Sequence, residues 1–187
     1  MAHQFPHPLV QQFTTALTAA GGEVHHAADW SAALGVLDGL LEAWGVQSIV
    51  INQEAPLDGV DWLGRWPTRA CHVVGRTVGD VRQVCATADV GLSGCVVALA
   101  ETGTVGVASG PNQSRLATLL PPIHVALVGA HQITADLFSW VASRSYAPPP
   151  AHLALISGPS KTADIEQVMA VGVHGPKRFV VVVWGDS

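Results

Sequence analysis

The sequence predicts an α/β fold, a mostly parallel sheet flanked by helices on both faces. Two patterns carry that expectation. Segments with apolar residues at helical spacing alternate with short extended segments over nearly the whole length, and several extended segments are apolar at every position. A strand buried on both faces has no polar side to show, whereas a half-exposed strand alternates. Alternation of the two element types then favours parallel strands joined by helical crossovers. The 187 residues are read as a single domain over 1–187.

The elements follow in order. Val10, Phe13 and Leu17 recur at helical spacing in an N-terminal helix region within residues 1–20, and Gly21-Gly22 supplies a stop. Val24 begins a short strand. Asp29 or Ser31 caps a second helix with the apolar face Leu34, Leu37, Leu41 and Trp44, ended by Gly45. Ser48-Ile49-Val50-Ile51 is a buried strand because its β-branched residues run together without alternation. A weak helix covers Asp58 to Leu63, Cys71 to Val74 is a strand, and Asp80 to Ala88 is helical.

Val90 to Leu92 and Val96 to Ala100 are buried strands. A tight turn at Glu101-Thr102-Gly103 joins the second of them to Thr104 to Ala108, the one local departure from strict alternation. Ser114 to Leu120 is a short helix stopped by Pro121-Pro122, and His124 to Val128 is a strand. Thr134 caps a helix through Leu137, Phe138 and Val141. Pro148-Pro149-Pro150 is a stiff surface connection. Leu153 to Ile156 is a strand, Ala163 to Ala170 a helix, and Phe179 to Trp184 the final strand.

Composition excludes several classes of function. With 49% hydrophobic and 12% charged residues the chain is not disordered. A formal charge of −5 argues against nucleic-acid binding, which needs a positive field to displace counterions. Mean hydropathy is +0.34, yet the apolar runs stop well short of the ~20 residues of a membrane span. Met1 to Val10 lacks a basic start and an apolar stretch, so it does not read as a signal peptide, and a cytoplasmic location is expected. Cys71, Cys85 and Cys95 are too far apart for paired-cysteine chemistry. They read as buried, reduced thiols, with no metal site built from this chain alone.

Four segments can carry chemistry. Glu101 lies between two apolar strands and is followed by Thr102-Gly103-Thr104. Partial burial there would raise its pKa, as a general base or nucleophile requires, while a solvated or arginine-paired turn glutamate is the plainer reading. Arg115 opens a short helix, where a cation is poorly placed for the macrodipole; it either pairs with an anion, Glu101 or a ligand, or lies exposed along the surface. His124 opens an apolar strand as a hydrogen-bonded structural histidine or a ligand-binding one. Gly158, Ser160, Lys161 and Thr162 lie in a small-residue loop between a strand and an expected helix, which presents N–H groups and a cation to an anion or simply forms a capped turn. A P-loop is excluded because Ser160 and Leu155 stand where that motif has glycines. His174, between Gly172-Val173 and Gly175-Pro176, can titrate or bind a ligand. No HExxH, no GxSxG elbow and no helix-opening GxGxxG is present.

In combination these motifs resemble those of a known family. Asp89-Val90-Gly91-Leu92-Ser93-Gly94, Ala100-Glu101-Thr102-Gly103-Thr104, Arg115 through Leu120-Pro121-Pro122-Ile123-His124, Ile156 through Glu166, and Gly172 through Pro176 occur in the order seen in the lactate-utilisation domain (LUD) family, most closely its protein C type. The specific match lies in residues 89–176. The resemblance implies a fold similar to the ribose-5-phosphate isomerase and CoA-transferase superfamily. It implies a role as a subunit in oxidising L-lactate to pyruvate, with iron–sulfur clusters carried by partner proteins and none bound by this chain. The alternative is an independent enzyme of the CoA-transferase or sugar-phosphate isomerase class, acting through Glu101 on a small anionic metabolite held by Thr102, Gly103, Thr104, Arg115 and the Gly158-to-Thr162 loop.

Overall fold

The structure, a computed structural model, describes residues 7–143, 150–163, 169–171 and 175–185. Helix α1 (Pro8–Ala19) starts with proline at a position whose N–H would be unpaired anyway, and it buries Val10, Phe13 and Leu17. Strand β1 (Glu23–Ala27) leads to α2 (Trp30–Ala43). Asp29 caps α2 by accepting the Ala32 N–H at 2.7 Å. Strand β2 (Ser48–Ile51) follows. The expected weak helix is two short pieces, a 3-10 turn at Leu57–Gly59 and α3 (Trp62–Arg65), locked together by the Trp62 indole N–H donating to Leu57 O at 2.9 Å.

Next come β3 (Ala70–Val73), α4 (Val81–Thr87) capped by Asp80, β4 (Val90–Ser93), β5 (Val97–Leu99), β6 (Thr104–Ser109) and α5 (Leu116–Leu119). The chain continues through β7 (Ile123–Gly129), β8 (Ile133–Thr134), α6 (Leu137–Ser143), β9 (His152–Ile156), β10 (Lys161–Ala163), β11 (Met169–Val171) and β12 (Arg178–Trp184).

Six strands in the order β1-β12-β7-β4-β2-β3 form one sheet, parallel at every pairing. Its side chains alternate between two cores. Ile49, Ile51, Leu92, Val125, Leu127, Val180 and Val182 pack against Leu34, Leu37 and Leu41 of α2 and against Trp62. On the opposite face Ala126, Val128, Phe179, Val181 and Val183 pack against Phe13 and Leu17 of α1 and against Ala98 and Val105. Further along that face, Val50 meets Cys85 of α4 and Ala117 of α5.

The predicted mostly parallel sheet with helices on both faces is therefore present, with one addition. A second sheet, β8-β5-β6-β9, covers part of one face alongside the helices. The turn at Glu101 does join an antiparallel pair, but β5, β6 and β9 belong to this smaller sheet and not to the main one.

Two local expectations are corrected. Thr134 lies in β8; the side chain that serves α6 is Asp136, which accepts the Ser139 N–H at 2.7 Å. The helix expected over Ala163 to Ala170 is replaced at both ends by strand, because Lys161–Ala163 and Met169–Val171 pair antiparallel. So short an apolar run fits either period, and pairing decided it. Residues 164–168 lie outside the described residues. Among the described residues no helix is long and apolar enough to cross a membrane.

Among the described glycines, Gly91 permits the closest approach. It stands between Val50 and His124 in the sheet, and a Cβ there would overlap the Ala117 carbonyl oxygen of α5. Gly91→Ala is expected to destabilise the protein by about 2–3 kcal/mol through this overlap, measurable as a lower urea midpoint at unchanged m.

Candidate functional site

The residues singled out in the sequence fall into two separate places. At the first, Gly103 adopts φ +64°, and a Cβ there would run into the backbone of Leu17, so the turn sits hard against α1. Thr102 Oγ1, Thr104 Oγ1 and Ser157 Oγ form a chain of hydroxyls at 2.6 and 2.7 Å. Gly158 packs on the Ala20 carbonyl, and the Lys161 ammonium donates to that same oxygen at 2.7 Å. Lys161 therefore satisfies the C-terminal end of α1, where a cation also suits the macrodipole. The loop it belongs to leads into β10, so no helix start is present to draw an anion. Ser157, Gly158 and Ser160 line a cavity of about 210 Å³ with Thr118, Pro176 and Phe179. The side chain of Thr162 and all of His174 lie outside the described residues.

Glu101 is exposed, because the apolar strands on either side end before reaching it; its backbone N–H donates to Ala135 O at 2.9 Å. This is the plainer of the two sequence readings, a solvated turn glutamate, and the partly buried base is absent.

Arg115 is elsewhere. Strands β6 and β9 run antiparallel, which puts Val105 beside Ile156 at one end and Ser109 beside His152 at the other. Arg115 lines a cleft of about 440 Å³ at the second end, with Val74, Ser109, Ser114 and His152. Glu101 and Lys161 belong to the first end. The ion pairs among the described residues are Arg65–Asp38, Arg69–Glu42 and Arg178–Glu23, so neither Arg115 nor Glu101 is in one.

His124 is fully buried, with Nε2 at 2.8 Å from Ser93 Oγ and its ring 5.1 Å from that of Phe179. Burial pulls its pKa down to about 3, so the ring is neutral, and its Nδ1 has no partner. Asp89, from the same motif, is structural. It accepts the Gln47 and Ser48 N–H groups at 2.9 and 2.8 Å and ties β2 to β4. Burial raises its carboxyl, but these bonds outweigh it and hold the pKa below the usual carboxylate range.

Sequence reasoning missed Asn52 and Glu54. After β2 the chain steps outward to β3, whereas β4, β7 and β12 lie on the other side of β2. Crossover direction thus reverses between β2 and β4, and open α/β sheets bind ligands outside the carboxyl ends of strands at such a point. Asn52 and Glu54 leave β2 there; Gly94 leaves β4. Asn52 is fully buried: Oδ1 accepts the Ser114 N–H at 2.9 Å, while Nδ2 has no partner. Glu54 is 8% exposed, and Oε1 accepts the Gly94 N–H at 2.8 Å. Burial pushes its carboxyl up to about 7, against the pull of that one bond. The loop over these residues is held by Gln53 N–H donating to Asn112 O at 2.9 Å and by the Gly110–Gln113 bridge. Three polar residues in a row, Asn52-Gln53-Glu54, directly after Ile49-Val50-Ile51 were the available signal.

These features define an α/β protein with a parallel sheet whose carboxyl-end crevice is roofed by the 110–115 loop. Residues 10–184 match the model of the LUD domain family, and the chain belongs to that family. It is similar to lactate utilization protein C of Halalkalibacterium halodurans, 30% identical over 80% of this chain and 68% of that protein. It is also similar to lactate utilization protein C of Deinococcus radiodurans, 39% identical over 52% of this chain. That match spans 47% of the relative, so the chain accounts for less than half of its length. By structure it resembles a DUF162 family protein from Deinococcus radiodurans solved at 1.70 Å, with TM-score 0.64 and 20% identity, covering 95% of this chain and 96% of the other. That likeness shows the fold.

Two of the buried ionisable groups, Glu54 and His124, act oppositely on stability. Glu54 has its pKa raised on folding, so its contribution is complete below about pH 4.5 and is lost as pH rises through about 7, by on the order of 3 kcal/mol. His124 has its pKa lowered, so its contribution is complete above about pH 6.5 and is lost as pH falls toward 3. Glu54→Gln keeps an oxygen for Gly94 and removes the charge. It is expected to raise stability at pH 8 and leave it nearly unchanged at pH 4.5, as read from urea midpoints at the two pH values.

Proposed function

We propose that the chain is a subunit of an L-lactate utilisation system, supporting oxidation of L-lactate to pyruvate with iron–sulfur partner proteins. The observation that carries this reading is the likeness to lactate utilization protein C over four fifths of the chain. The chemistry of the thiols agrees with partners carrying the clusters. Cys85 and Cys95 are buried; burial pushes the Cys85 thiol up to about 11, and burial with the nearby Glu54 raises that of Cys95. Thiolates, the form that ligates iron, are thereby disfavoured. The exposed position of Glu101 gives no support to the alternative of an independent enzyme working through that carboxylate.

The test is purification of the full chain from its native cells together with cysteine-rich partners, followed by lactate-dependent reduction of an artificial electron acceptor. The assembled fraction is expected to reduce the acceptor, and to lose that activity when the chain is depleted and regain it when the chain is added back. Activity indifferent to depletion defeats the proposal. So does turnover of a thioester or sugar phosphate by the purified chain alone.

A further inference from the structure

The cleft beside Arg115 has the composition of a ligand site and sits where the topology favours one. Val74, directly after β3, forms one wall, and Ser109 and His152 form another across the β6–β9 ladder. Arg115 and Ser114 complete it. Arg115 is exposed at the cleft and makes no ion pair among the described residues, so its guanidinium is free to meet an anion there. Independently, Asn52 is fully buried with an amide nitrogen that has no acceptor. Its other amide atom is bonded to the backbone of the wall residue Ser114, so the orphan donor lies just behind that wall. A buried donor without a partner is unfavourable and calls for an acceptor.

We propose that this cleft binds a small monocarboxylate carrying a second oxygen beside its carboxyl group, with the carboxylate on the Arg115 guanidinium and the second oxygen accepting from Asn52 Nδ2. A guanidinium matches a carboxylate with two parallel N–H bonds. One fixed cation suits one negative charge better than a dianion such as a phosphate ester. Entry of the second oxygen requires the Ser114 segment to shift, because it covers the amide. The Ser114 hydroxyl already accepts the Leu116 N–H, so it anchors the segment on α5 and is not a free ligand group.

The site deepens the lactate reading and rests on it for the choice of probes. The experiment is calorimetric titration of the full chain with pyruvate, L-lactate, acetate and inorganic phosphate. Pyruvate or L-lactate is expected to bind saturably, with acetate at least about tenfold weaker for want of the second oxygen. Arg115→Ala is expected to weaken binding about tenfold or more, with Arg115→Lys recovering part of the loss. Lys161→Ala, at the other end of the β6–β9 ladder, is expected to leave it unchanged. Absence of saturable binding, affinity within about twofold in Arg115→Ala, or acetate or phosphate binding as tightly as pyruvate overturns the assignment. Those results leave partner-dependent lactate oxidation standing, whereas loss of that activity with pyruvate still bound refutes the role and keeps the cleft.

Discussion

Strands β7 and β12 pair in parallel over seven residues, and each sends alternate side chains into opposite cores. A parallel pair has no solvated face, so both strands must be apolar throughout and both cores must close at once. Phe179-Val180-Val181-Val182-Val183 and Val125-Ala126-Leu127-Val128 meet that demand, with every residue nearly inaccessible to solvent. β1 and β4 extend the pair on either side. α2 seals one core, while α1 and the small sheet seal the other. The bidentate Arg178–Glu23 bond, at 2.9 and 2.8 Å, ties β12 to β1 where the sheet begins.

Sealing the second core with a sheet has consequences for the site. β5 and β6 leave the main sheet after β4 and return only through α5 to β7, so the connection between two neighbouring strands is itself a structured layer. β6 and β9 lie across the molecule, with the three-hydroxyl chain at one end and the Arg115 cleft at the other. A single ladder thereby separates groups that are close in sequence. Glu101 and Arg115, fourteen positions apart by their numbers, serve opposite ends of it.

The main sheet was legible because the demand for two-sided burial writes itself into local composition. Ile49-Val50-Ile51 and the valine run before Trp184 admit little else. Which sheet a short apolar strand joins is not written locally. Val97 to Leu99 and Leu153 to Ile156 looked like the others, and long-range pairing with Thr104 to Ser109 assigned them to the smaller sheet. Capping at Asp29 was readable from neighbours in the chain; at α6 the sequence points to Thr134, and Asp136, two residues on, serves instead. The environment of Glu54 was beyond reach, since it depends on Gly94, forty residues later, and on a crossover reversal that exists only in three dimensions.

That reversal also sets the electrostatics of the crevice. Few charged residues are available, 12% of the chain, and two buried ones, Glu54 past the carboxyl end of β2 and His124 near the amino end of β7, are held away from their charged forms. His124 is neutral because burial disfavours its charged form, and at Glu54 burial outweighs the bond from Gly94 and pushes the carboxyl up to about 7. A fully charged carboxylate there would stand buried with one hydrogen bond from Gly94 and no ion pair among the described residues. Desolvation, which lowers stability at Glu54 as the pH rises, is therefore the same property that keeps its proton in place toward neutral pH.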